Sequence, residues 1–297
     1  MMAGARETYP RIKGAVMRRL FVALALLASV SAASADEFEF PGTLRGSNAY
    51  VPAAPVFTRW SGYYVGGIVG YGNASMDFSN ATRDLYAFML RELALESEQH
   101  VSQWQVLGVG NSNSRSFGGF AGFNSQWDDV VVGIDVHYSA THFAASAPAT
   151  PISRVVTAGG LPYDVTLNGN ANLNVTSWGA ARLRGGYIWN NIMPYGTVGV
   201  ALGFADGSRT ATATGEQNPP TPPATCAGSP TCVPFSFSAT DTRRNMFMFG
   251  YTAGAGVDVL VLPNLFVRGE YEFAGFQTVM GTRTIINTVR VGAALKY

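Results

Sequence analysis

The sequence predicts an all-β protein: an eight-stranded antiparallel transmembrane β-barrel with a short helix in its first surface loop. Three observations predict it. About eight segments alternate apolar residues with small or polar ones at a period of two, which gives a strand one oily face and one wet face. The connections between them alternate long and short, as surface loops and periplasmic turns do in outer-membrane barrels. The 297 residues are rich in glycine (34) and aromatics (12%) but poor in charge (13%), and no apolar run of ~18 residues that would make a spanning helix follows the N-terminal region. Twenty Lys+Arg against 19 Asp+Glu leave a net charge of +1, too small a basic excess for nucleic acid to be a partner.

Four regions are expected. Met17-Arg-Arg opens a basic start and a short apolar run, and Ala33-Ser34-Ala35 supplies a small-x-small site, so residues 17–35 read as a signal peptide cleaved after Ala35. Residues 1–16 then read as a gene-model extension, with translation starting at either Met1 or Met17. Residues 36–59, with Pro41, Pro52 and Pro55, read as a periplasmic lead-in, and residues 60–297 as the barrel.

The first strand opens at Trp60-Ser-Gly-Tyr-Tyr-Val-Gly-Gly, with Tyr63, Val65, Val69 and Tyr71 on one face and Gly66, Gly70 and Gly72 on the other. This opening, after a Pro-Ala-rich lead-in, resembles that of the small outer-membrane β-barrel proteins of alphaproteobacteria, which include Brucella major surface antigens and Bartonella hemin-binding proteins and are similar to the transmembrane half of OmpA. The resemblance covers residues 56–297 at strand level. It implies location in the bacterial outer membrane and contact with outer-membrane lipid; no enzymatic activity is expected. It also implies that the closing aromatic strand is recognised by the barrel-assembly machinery through Tyr297, where the family usually carries Phe.

Residues 73–115 read as a long first loop. Leu85, Met89 and Leu93, with Tyr86 and Leu90 alongside, give helical spacing from Thr82 onward. Phe117, Ala121 and Phe123 mark strand two, which ends in a turn at Trp127-Asp-Asp. Val130, Val132, Ile134, Val136 and Tyr138 face outward on strand three, with Asp135, His137 and Ser139 inward. A second loop is expected over 141–173. Strand four (174–189) puts Leu183 and Tyr187 outward and Arg182 and Arg184 inward. Strand five (193–206) precedes a third loop over 207–243. Strand six (244–261) has Asp258 inward, strand seven has Arg268, Glu270 and Glu272 inward, and strand eight (285–297) has Arg290 and Lys296 inward and Val289, Val291 and Leu295 outward. Trp127, Trp189, Tyr195 and Tyr297 fall near the short turns and are expected to form an aromatic girdle.

Eight strands enclose a space that side chains can fill. The inward Asp135, Arg182, Arg184, Asp258, Arg268, Glu270, Glu272 and Arg290 are therefore expected to pair as a lumen charge network, since isolated buried charge is costly. That predicts a plugged barrel with a structural and surface-presenting role. A narrow porin using the same charges as a conductive ladder is one alternative. A surface module for hemin or a host ligand is the other, with His100, His142, Met246 and Met248 as the heme-ligand types in reach. No cofactor is otherwise expected, and no metal. Asp135, His137 and Ser139 share a face but have poor geometry for a triad. Cys226 and Cys232, six apart in an exported chain, are expected to form a disulfide.

Overall fold

The computed structural model describes residues 59–219, 226 and 231–297. The expected extension, the signal peptide with Ala35, and all but Arg59 of the lead-in lie outside the described residues.

The chain runs β1 (Gly62–Asp77), α1 (Arg83–Leu90), α2 (Ala94–Gln99), a 3-10 turn (Val101–Gln103), β2 (Val109–Trp127), β3 (Val130–Ser146), β4 (Ile152–Ala158), β5 (Leu161–Tyr187), β6 (Ile192–Gln217), β7 (Val233–Leu262), β8 (Leu265–Phe276) and β9 (Arg283–Lys296). Eight strands pair antiparallel in the order β3-β2-β1-β9-β8-β7-β6-β5, and β3 pairs β5 to close the ring; β5 pairs β4 as well. The first and last strands meet from Tyr64↔Lys296 to Asp77↔Arg283, and Tyr297 N–H donates to the Tyr63 carbonyl at 2.8 Å. Gly62 sits here at φ +125, where a Cβ would strike the Tyr297 carbonyl; only glycine takes that backbone cheaply.

Burial is inside out. Tyr63, Val69, Tyr71, Ile134, Leu183, Val198, Phe247, Tyr251, Val289 and Val291 are exposed apolar residues on the outer wall, while Asp135, Arg182, Arg184, Asp258, Arg268, Glu270, Glu272 and Arg290 are buried. Water would not tolerate so wide an apolar exterior, whereas hydrocarbon requires it. Trp127, Trp189 and Tyr297 are exposed at the short-turn end, as a girdle needs. Tyr195 departs from the expectation. It is buried in the lumen, because it shares parity with the inward Met193 and Thr197 rather than with the outward Val198 and Val200.

The larger correction concerns the second and third loops. Residues 141–173 and the described residues of 207–243 are mostly strand: β3 continues to Ser146, β4 is an additional strand, and β5, β6 and β7 run 27, 26 and 30 residues. Above the apolar belt, β4, β5, β6 and β7 continue as a four-stranded sheet. Its outer face carries Thr166, Asn168, Asn170, Thr210, Thr212 and Thr214, and its inner face Tyr163, Val165, Leu167, Ala211 and Ala213. The polarity of the wall has inverted. On β5 and β7 the inversion is made by register breaks between Val175 and Ser177 and opposite Ala205/Gly207, where one extra residue flips every side chain beyond it. On β7 the break falls at Asn245, which adopts φ +53.

The expected loop helix is two helices, α1 and α2, separated at residues 91–93. They lie against the inner face of this extension, where Tyr86, Leu90, Leu95, Val101 and Val106 pack with Tyr163, Val165, Leu167, Ala211 and Ala213. Burying that amphipathic stripe, rather than intrinsic propensity, is what holds helices this short. Tyr86 also donates its hydroxyl to the Asn168 carbonyl at 2.7 Å.

Candidate functional site

The barrel interior is layered. Near the short turns, Trp60, Tyr64, Ile68, Phe120, Val131, Met193 and Phe266 form an apolar floor. Toward the surface end, Met76, Phe78, Leu107, Phe143, Trp178, Phe276 and Ile286 form an apolar ceiling. Between them lie four arginines and four carboxylates, a balanced set.

The strands place these groups in register. Asp135 stands opposite Arg182, Asp258 opposite Arg268, and Glu270 opposite Arg290. On their other flanks stand glycines: Gly199 beside Arg182, Gly133 beside Arg184, Gly292 beside Arg268, Gly256 beside Glu270, Gly254 beside Glu272 and Gly70 beside Arg290. A missing side chain next to each long one is what lets eight ionic groups fit inside so narrow a ring.

Asp135 accepts from Arg182 Nε at 3.2 Å, from Arg268 Nη1 at 2.8 Å and from the Tyr64 hydroxyl at 2.8 Å. Asp258 accepts from Arg268 Nε at 3.0 Å and Nη2 at 3.1 Å, and from Arg184. Glu270 accepts from Arg182 Nη1 at 2.7 Å, from the Tyr195 hydroxyl at 2.8 Å, and from Arg290. Glu272 accepts from the Thr252 hydroxyl at 2.6 Å and from Arg290. The side chains of all eight are at most 1% exposed. Desolvation on this scale is tolerable only when each charge is met by several partners. Aromatic faces add to it: the Arg184 guanidinium lies 3.8 Å from the Tyr195 ring centroid, and that of Arg268 lies 4.3 Å from the Phe120 centroid.

The eight sequence-named charges thus share one layer. Lys296 does not join them; it sits at the short-turn rim and donates to the Arg59 carbonyl. Parity alone turns Thr252 inward with Asp258, but Tyr64 and Tyr195 were missed, and none of the three was named as a partner of the charges. One signal was available, since in Tyr63-Tyr64 one of two consecutive tyrosines must face the lumen. Asp135, His137 and Ser139 all face inward, but Asp135 is held by arginines, His137 Nε2 lies 3.5 Å from Glu272 rather than on a serine, and Ser139 Oγ has no partner among the described residues. No triad is wired.

The heme-ligand types are dispersed. His142 is exposed on the outer face of β3, His100 is exposed beyond α2, Met248 is buried in the ceiling and Met246 packs against it. Cys226 and Cys232 are disulfide-bonded, with Cα atoms 5.2 Å apart, at the tip of the β6–β7 hairpin.

No protein-family model matches the chain, and no curated protein matches it. Among solved structures it is similar to Ail, the attachment invasion locus protein of Yersinia pestis (11% identity, 80% of this chain and 99% of that one, TM-score 0.29). It is also similar to Neisserial surface protein A (13%, 80% and 98%, TM-score 0.34) and to the outer membrane protease OmpT from Escherichia coli (9%, 80% and 97%, TM-score 0.34). Likeness this remote says nothing about role. The closed ring, the apolar belt and the polar interior themselves make this an outer-membrane β-barrel.

Proposed function

We propose that this chain is a structural outer-membrane barrel that carries a folded, surface-exposed extension and does not conduct. One observation carries the reading: a charge-balanced, fully buried ionic layer is held between an apolar floor and an apolar ceiling. Ions moving along the axis would have to cross both apolar layers and break the pairing between them. The narrow-pore reading is disfavoured for that reason, and hemin capture by the scatter of its would-be ligands. Planar-bilayer recording tests the proposal. The refolded barrel is expected to give no stable unitary steps, and reproducible conductance would overturn it.

Assembly is proposed to proceed through β9, with Tyr297 read by the barrel-assembly machinery. Its exposed ring and its backbone bond to Tyr63 support the reading, because the same residue offers an apolar handle and closes the seam. A chain lacking Tyr297 is expected to accumulate unfolded in the periplasm. Normal insertion would sink the assembly role.

A further inference from the structure

The barrel wall is uneven in height. β7 pairs with β6 as far as Val233, but with β8 only from Gly250 onward. At this step, α1, the inner faces of β6 and β7, and the β8–β9 turn border an open cleft of about 480 Å³. Its lining includes Arg83, Asp84, Arg209, Arg243 and Gly281.

The donors in this cleft divide into two kinds. Arg209 is buried and fully committed. It donates to both Asp84 oxygens at 2.7 Å, to Asp241 Oδ2 at 3.0 Å and to the Ala81 carbonyl at 2.7 Å. It is a strut that fixes α1 to the sheet. The other donors are uncommitted. Arg83 is exposed; its backbone N–H donates to the Asn80 carbonyl at 3.4 Å, and its guanidinium has no ion-pair partner among the described residues. Arg243 is tied only through Nε to Asp241 at 3.2 Å, which leaves its terminal nitrogens unused, and its side chain is 60% exposed. The Thr82 side chain does not cap α1, and the backbone N–H groups of Asp84 and Leu85 find no acceptor among the described residues. Both nearby carboxylates, Asp84 and Asp241, are occupied by Arg209. Three arginines against two aspartates leave one net positive charge.

We infer that this cleft binds an oxyanion ester, a phosphate or sulfate group carried on a sugar-sized body. Two guanidinium groups present N–H pairs suited to tetrahedral oxyanions, and uncapped helix N–H groups add to them. The volume exceeds what a lone oxyanion fills. The outward apolar belt ends at Phe204 and Phe247, three to four residues below the Gly207↔Arg243 pair, which is roughly 10–13 Å along a strand. The cleft therefore stands level with the head-group and sugar layer of the membrane. The ester could come from a phosphorylated lipid head group or from a soluble phosphate ester.

The test uses the refolded full barrel. In zwitterionic micelles it is titrated calorimetrically with inorganic pyrophosphate. In nanodiscs it is titrated with a diphosphorylated glucosamine lipid and, in parallel, with its dephosphorylated form. The expectation is saturable binding that weakens about tenfold or more in both Arg83→Gln and Arg243→Gln, as loss of a charge-assisted pair implies. Arg154→Gln, on the exposed β4 and stacked on Trp104, should leave binding unchanged. Arginine-dependent binding in the lipid arm alone assigns the site to the membrane, and in both arms to the phosphate group itself. No saturation in either arm overturns the inference, as does equal weakening by Arg154→Gln, which would mean diffuse electrostatics. Heat-modified gel mobility confirms that each variant is a folded barrel; Arg243→Gln also gives up the bond to Asp241, whereas Arg83→Gln breaks no ion pair among the described residues.

Discussion

Asp135 and Arg182 face each other directly across β3 and β5, at the pairing that closes the ring, and Arg182 reaches on to Glu270 at 2.7 Å. One guanidinium thus links strands on opposite sides of the lumen. Asp135→Asn strips a counter-charge from both Arg182 and Arg268 and is expected to cost about 3–5 kcal/mol. Adding Arg182→Met should cost less than the sum of the two single losses by about 1–3 kcal/mol. Urea unfolding in lipid vesicles, followed by tryptophan fluorescence, measures both, and strict additivity would deny the direct coupling.

Gly281 turns the β8–β9 connection at φ +72, where a Cβ would stand 2.3 Å from the Asn80 carbonyl and 2.8 Å from the Ala81 Cα. Gly281→Ala is expected to loosen this contact by about 1–3 kcal/mol, with faster amide exchange at residues 80–84. Exchange unchanged from wild type would contradict the packing described.

Tyr86 anchors α1 to β5. Burial pushes its hydroxyl up to about 12, against a smaller opposing pull from Thr82. The raised folded value means that its stabilising contribution is complete below the unfolded value of about 10. It is lost as pH rises toward 12. Limited proteolysis across that range should show loop one opening before the barrel unfolds, and Tyr86→Phe should cost about 1 kcal/mol and remove the alkaline step. A step that persists in Tyr86→Phe would assign it to another group.

Asp241 behaves oppositely. Burial alone would raise its carboxyl, but hydrogen bonds from Arg209 and Arg243 overcome this and hold it below the usual carboxylate range. Its contribution is therefore complete above the unfolded value of about 4 and is lost as pH falls through the lower folded value. Proteolysis of the α1 region should rise below about pH 4 in the wild type and lose that dependence in Asp241→Asn.

The membrane half of the fold was legible because hydrocarbon imposes a simple rule. Val289, Val291 and Leu295 had to face out, so Arg290 had to face in, and the same parity set Asp258, Arg268 and Glu270. The extension was not legible by that rule. In 163–175 and 207–217 the alternation is equally regular, but Val165, Leu167 and Leu173 point inward while Thr and Asn point out, so a search for an outward apolar face ends each strand too early. Tyr195 follows a related logic: its closeness to a turn suggests a girdle position, but its parity with Met193 and Thr197 turns it into the lumen. What sequence could not supply was the neutral half of the charge layer, since nothing in the order of residues says which carboxylate the Tyr64 or Thr252 hydroxyl will meet.

The breaks at Thr176 and Asn245 impose an arithmetic on insertion and deletion. Removing one residue from either strand at those points would carry the membrane's in-out sense into the extension, turning Val165 and Leu167, or Phe235 and Phe237, out to water and the Thr and Asn rows in against α1. Removing two would only shorten the sheet. Lengths in this part of the chain should therefore change in steps of two, and an odd step should survive only where a second odd step restores the phase.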